Sequence, residues 1–237
     1  GYTGIRIRGV SAQSTNITIN GIPFNDPESH GTFWVNLPDF TSSIESLQVQ
    51  RGVGTSTNGS GAFGASINIL TDAVSENANA EISNSLGSYN TRKHTVKFST
   101  GRINQFFELS GRLSKIDSDG YVDRAYSDLK SYFLQASFQK GNTFLKALSF
   151  GGHEKTYQSW DGLTMDQVLE NRRQNPLTYE NEIDNYKQDH YQLHWKQKLN
   201  PNWSANFGLN YTYGRGYFEQ FRDCLLYTSP SPRDRVQ

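Results

Sequence analysis

The residues that invite a chemical reading fall in four places. His190 and His194, four apart, would share one face of a helix as a pair of zinc ligands. The text around them alternates, however, and on a strand they stand roughly 13 Å apart, too far to share a metal. Asp117-Ser118-Asp119-Gly120 has the opening of a calcium loop but not its later Glu, and reads as loop chemistry. Phe24 to Asn36 sets polar groups, among them Asn25, Asp26, Glu28, Ser29 and His30, beside Phe33 and Trp34. That mixture suits contact with a bulky, partly polar ligand. A competing reading packs Phe33 and Trp34 into a core and leaves the acids in solvent. Finally, Tyr157, Trp160 and Tyr179 lie in a long connection that also holds Thr164-Met165-Asp166-Gln167, a capping box that predicts a short helix. These rings either touch a ligand or fold the connection on itself. No nucleophile elbow and no Ser/His/Asp arrangement stands in a recognisable context, so the expected activity is not enzymatic, with no resident cofactor and no metal site.

The elements that must position these residues follow from composition and period. Of 237 residues only 35% are hydrophobic, and 13 Tyr, 14 Phe and 4 Trp make up over a third of that fraction. Mean hydropathy is −0.69, which leaves little for a large apolar core. No stretch approaches 18 apolar residues, which excludes a transmembrane helix but not transmembrane strands of about ten alternating residues. Lys+Arg and Asp+Glu are equal at 23 each, so nothing points to nucleic acid. A lone Cys rules out an internal disulfide.

Two textures meet near residue 73. The first is glycine-rich, with alternating runs Gly4–Gly9, Asn16–Pro23 and Ile44–Gly52 that read as short strands closed by turns. Between them, 37–44 suits a single helical turn. From Asn79 onward come two-faced strands about ten residues long. In the clearest, Trp203, Ala205, Phe207, Leu209, Tyr211 and Tyr213 share one face and Ser204, Asn206, Gly208, Asn210 and Thr212 the other. Similar alternation marks 80–86, 94–98, 107–113, 132–138 and 191–195, and Thr143–Phe150 is a seventh strand whose faces are ambiguous. Links after even-numbered strands are short and those after later odd-numbered strands are long, the parity of an outer-membrane barrel. Trp203 and Tyr213 stand roughly 33 Å apart along the strand, which a tilt of about 40° projects to about 25 Å, the height of an apolar band between aromatic girdles. A soluble sandwich also alternates, but without that parity of links.

Arg6-Ile7-Arg8-Gly9, Ile19-Asn20-Gly21-Ile22-Pro23, Val49-Gln50-Arg51-Gly52 and Gly59 through Ile69 together resemble the plug domain of TonB-dependent outer-membrane receptors. The resemblance implies a mainly β chain: residues 1–73 as the C-terminal part of a mixed α/β plug, then 74–223 as about seven antiparallel strands of a 22-stranded barrel. It implies active uptake of a scarce ligand of the siderophore, haem or cobalamin type, with the TonB complex, the ligand chelate and outer-membrane lipid as partners. The glycan-importing branch of the superfamily and a non-transporting barrel such as an adhesin are the alternatives. The run Thr57 to Gly64 departs from the glycan branch's usual ending. The expected fragment lacks the TonB-binding segment that precedes the plug, and its seven strands fall short of the eight that close the smallest barrel.

Residue roles follow from the same resemblance. Arg6, Arg8, Glu45 and Arg51 are expected to lock plug to barrel through exchangeable charge-assisted hydrogen bonds. Gly9, Gly21, Pro23, Gly52, Gly61 and Gly64 are expected to serve turns and close packing, as are Gly54 and Gly59. The 24–36 loop is expected to rise to the extracellular mouth, with Asn25, Asp26, Glu28, Ser29, His30 and Trp34 in contact with ligand. Cys224 to Asp234 resembles a translated transposase-type sequencing adapter, so 224–237 is expected to be non-native, leaving 21 basic and 22 acidic residues.

Overall fold

The computed structural model describes residues 4–53 and 63–221. The residues assigned above at Gly54, Gly59 and Gly61, and the 224–237 tail, lie outside these.

Two sheets form the described chain. The first holds β1 (Thr15–Ile19), β2 (Ile22–Pro23), β3 (Ile44–Arg51) and β4 (Ala65–Thr71) in the order β2-β1-β4-β3. β1 runs parallel to β4, and the other two pairings are antiparallel. Asn20 and Gly21 both sit at positive φ (55° and 81°), the two-residue turn whose twist joins β1 to β2. Pro23 ends β2 at the sheet edge, where its missing N–H costs no ladder bond. Gly9 and Gly52 also stand at positive φ. Gly64 is a close-packing position, but within this sheet's own unit: a Cβ there would lie 2.9 Å from the Ser14 carbonyl. The Gly4–Gly9 run is not a strand. Arg8 joins Gly9 at positive φ, which breaks extended chain, and the Val10 amide closes a turn on the Ile7 carbonyl. The helical turn expected within 37–44 is present as a 3-10 turn at Phe40–Ser43, preceded by another at Trp34–Asn36.

The second sheet has seven antiparallel strands in strict sequence order: β5 (Asn79–Gly87), β6 (Thr91–Ser99), β7 (Phe107–Ser118), β8 (Ser127–Lys140), β9 (Thr143–Tyr157), β10 (Ile183–Asn200) and β11 (Trp203–Phe218). Turns at 141–142 and 201–202 mark one end, and the long links 119–126 and 158–182 mark the other, here called the outer end. Period-two alternation divides the wall into faces. Val96, Leu109, Leu113, Leu134, Leu193, Trp203, Phe207, Leu209 and Tyr211 are exposed on one. Ser99, Glu108, Ser110, Arg112, Ser114, Ser131, Gln135 and Ser137 are buried on the other, beneath the first sheet.

β9 resolves its own ambiguity. Leu148 and Phe150 face inward and join Phe133 of β8 in one cluster with Ile17, Ile19, Leu37, Phe40, Ile67 and Ile69 of the first unit. Apolar residues therefore occupy both faces of β9, because its inner face is the floor of a core. Phe40 lies 5.3 Å from Phe150 and 6.5 Å from Phe133, ring centre to ring centre. Each ring buried this way contributes roughly 1.5–3 kcal/mol. Gly152 lets the two units touch by backbone, since a Cβ there would fall on the Asn36 carbonyl oxygen and Pro38 Cδ.

Candidate functional site

Polar contacts seat the first unit on the wall. Asp39, in the left-handed region at φ 54°, starts the Phe40–Ser43 turn and takes Ser42 Oγ at 2.6 Å. Its carboxylate also pairs with Lys93 of β6, accepts from Thr95 Oγ1 at 2.9 Å and meets Arg112 of β7 at 3.1 Å. Arg112 Nε donates to Ser43 Oγ at 2.8 Å. Burial pushes the Asp39 carboxyl up, but hydrogen bonds from Lys93, Ser42, Ser114 and Thr95 outweigh it and bring the pKa down to about 2. Asp72 pairs with Lys97 at 2.7 Å, Lys146 donates to Thr71 Oγ1, and Asn20 donates to Gln192. Arg6, Arg8, Glu45 and Arg51 are exposed and make no ion pair with the wall among the described residues. The charges that bridge the units are thus acids on the plug-like side and cations on the wall.

The 24–36 loop is closed on itself. Asp26 N–H donates to the Gly31 carbonyl and His30 N–H to the Asp26 carbonyl, both at 2.9 Å. Asp26 Oδ1 accepts from the amides of Glu28 and Ser29 and from Ser29 Oγ. The Ser29 amide bond leads in holding this carboxyl below its ordinary value. Asn25 donates to the carbonyls of Thr15 and His30 and accepts from Ile17 N–H, tying the loop to β1. Glu28, Ser29 and His30 form the exposed tip. Trp34 is half-buried against Phe24 beside the core, while Phe33 is exposed.

Between this loop and β9–β11, near the outer end, lies a cavity of about 1150 Å³. Asn25, Asp26, Thr32 and Phe33 line its loop side; Glu154, Asp184, Tyr186, Gln188, His190 and Gln192 line the wall side. Trp160 and Phe218 stand over it, 5.7 Å apart. His190 stacks on Phe150 at 4.9 Å, approaches Phe24 at 5.2 Å and bonds Thr212 Oγ1 through Nδ1. His194 bonds Gln192 instead.

The long connection resolves into two roles. Trp160 lines the cavity, whereas Tyr157 donates to the Tyr179 carbonyl at 2.6 Å and Tyr179 stacks on Phe221 at 3.8 Å, folding the connection on itself. Its helix α1 (Met165–Glu170) carries the capping box, with Thr164 and Gln167 bonding each other's backbone. Asp117 pairs with Lys115 at the end of β7, and Ser118 Oγ accepts the Gly120 amide. Sequence reasoning missed Glu154, Tyr186 and Gln188 as lining residues. No local signal marked them, because every residue from Asp184 to Gln192 is polar or ring-bearing and Glu154 stands on the neighbouring strand β9.

Comparisons with known proteins agree with this geometry. Residues 1–66 match the family described as TonB-dependent Receptor Plug Domain. No curated protein matches the sequence. Among solved structures, the ferric-catecholate import receptor Fiu from E. coli K12 superposes with a TM-score of 0.70 at 16% identity, over 90% of this chain and 33% of that one. The siderophore receptor PiuA from Acinetobacter baumannii gives 0.69 at 15% identity, over 90% and 31%. The ferric citrate transporter FecA gives 0.73 at 17% identity, over 93% and 35%. The chain therefore spans about a third of the length of the structures it resembles. With a plug-domain match over its first 66 residues and that fold over the described chain, the protein has the plug and barrel-wall architecture of the TonB-dependent receptors.

Proposed function

We propose that this chain forms plug and barrel wall in an outer-membrane receptor that imports a scarce chelate, of the siderophore, haem or cobalamin type, with energy supplied through TonB. The observation that carries this reading is the cavity at the outer end, walled on one side by a closed plug loop and on the other by barrel strands. Such a seat couples ligand to plug, so a bound molecule touches the element that must move. The outward apolar face between Trp203 and Tyr213 supports residence in the outer membrane, with lipid as its neighbour. The ion pairs of Asp39 and Asp72 with wall cations, beside the packing of Phe40 on Phe133 and Phe150, support a plug seated on the wall. Arg6, Arg8, Glu45 and Arg51 would serve the same locking role against wall strands other than these seven.

Within the loop, Asn25 and Asp26 hold the shape, and the exposed tip of Glu28, Ser29 and His30 with Phe33 meets the ligand. The test is equilibrium binding of ferric chelates to the purified complete receptor, comparing wild type with Phe33→Ala and with the combined Asp26→Ala, Glu28→Ala, His30→Ala variant. Weakened binding in both supports the loop as the contact surface; unchanged affinity in both removes it.

A further inference from the structure

The cavity is built for one sign of charge. Its described lining carries three acidic side chains, Asp26, Glu154 and Asp184, and no Lys or Arg. Of the wall's inward cations, Lys93, Lys97, Arg112 and Lys146 are engaged with the plug at Asp39, Asp72 and Thr71, and Lys196 lies farther down β10, outside the lining. Glu154 faces Tyr186 across the β9–β10 pair, and Asp184 is its diagonal neighbour. Diagonal neighbours of this kind lie about 7–8 Å apart, so two acids share one patch. Glu154 is 1% exposed and His190 4%, yet Glu154 Oε2 and His190 Nε2 have no hydrogen-bond partner. Burial, with the Asp184 charge beside it, raises the Glu154 pKa to about 8, so the empty cavity holds this acid largely protonated at neutral pH, and no ion pair reaches it among the described residues; a ligand amine seated there restores its charge. Trp160, Phe33 and Phe218 add apolar faces around the same space.

We propose that this cavity selects a neutral or cationic chelate, one whose amine or amide donors meet Glu154 and Asp184 and whose apolar surface meets the rings, and that it rejects polyanionic chelates. This inference rests on the cavity being the ligand seat of an importer. It separates the chain from two of the receptors it resembles, whose names specify ferric catecholate and ferric citrate, chelates that are anionic.

The test uses the purified complete receptor and three probes: a ferric trihydroxamate bearing a free amine and one positive charge, its N-acetylated neutral form, and a trianionic ferric tris-catecholate. Quenching of Trp fluorescence reads binding, with Trp160→Phe identifying the cavity's share. Expected is binding of both trihydroxamates, the cation about tenfold tighter, with Glu154→Gln abolishing that difference while retaining the neutral probe. A trianion that binds as tightly as the trihydroxamates, or a cation preference that survives Glu154→Gln, overturns the proposal. So does failure of all three probes to bind. In each of those cases, TonB-dependent uptake of iron by cells carrying the receptor would leave the importer reading standing, and its absence would remove that reading as well.

Discussion

Asp39 of the plug and Arg112 of the wall meet at 3.1 Å with both side chains 1% exposed, so the joint between the two units is a buried ion pair. Neither partner is recognisable as such from its own neighbourhood in the chain. The 3-10 turn delivers Asp39, and β7 presents Arg112 on its inward face.

Removing one partner leaves the other charged, buried and unpaired. Asp39→Asn is therefore expected to destabilise the seated plug by roughly 3–5 kcal/mol. Limited proteolysis of the receptor in detergent reads this as faster cleavage of the plug with an intact barrel. Protection equal to wild type would show that the plug is held elsewhere.

The same carboxylate sets an acid limit. Its pKa in the folded protein, about 2, lies below the ordinary 3.8, so its stabilisation is complete above the unfolded value and is lost as pH falls from about 4 toward 2. The loss amounts to about 2 kcal/mol. Plug protection measured from pH 5 to pH 2 should fall in wild type across that window and fall by about 2 kcal/mol less in Asp39→Asn.

Gly152 is where wall and plug approach by backbone, and its φ is not positive, so Ala is conformationally allowed there. Gly152→Ala nevertheless places a methyl on Asn36 and Pro38 and should cost about 1–3 kcal/mol of seating. Gly162→Ala, with open space around it, is the control and should leave the melting temperature unchanged.

Much of this architecture is legible in the sequence, for physical reasons. A strand between two unlike environments must alternate, so β5–β8, β10 and β11 announce themselves, and Thr164-Met165-Asp166-Gln167 announces α1. β9 is less legible because Leu148 and Phe150 face a core rather than water. Gly4–Gly9 mimics a strand because alternation over six residues does not reveal that Arg8 and Gly9 adopt positive φ. The joint at Asp39 and the lining at Glu154 depend on residues far apart in sequence, and no local period encodes such pairs. The bridging acids Asp39 and Asp72 sit in unremarkable turn and strand-end text.

The outward face makes its own prediction. Leu209 pairs with Leu193 midway between Trp203 and Tyr213, at the expected centre of the apolar band. Leu209→Arg should cost about 2–4 kcal/mol in lipid vesicles, whereas Ser204→Arg, on the other face near the strand end, should cost under about 1 kcal/mol. Equal costs would contradict a membrane-spanning wall.

Helix α1 has no buried residue, so its cap is its main support. Thr164→Ala should remove about 1 kcal/mol and raise amide exchange over Met165–Glu170 about fivefold, with the wall strands unaffected.

The most direct measurement is uptake of iron, supplied as the three chelates above, by iron-starved cells expressing the complete receptor, with and without functional TonB. Accumulation that requires both the receptor and TonB is the predicted result. Accumulation indifferent to TonB, or none with any chelate, would contradict the importer account.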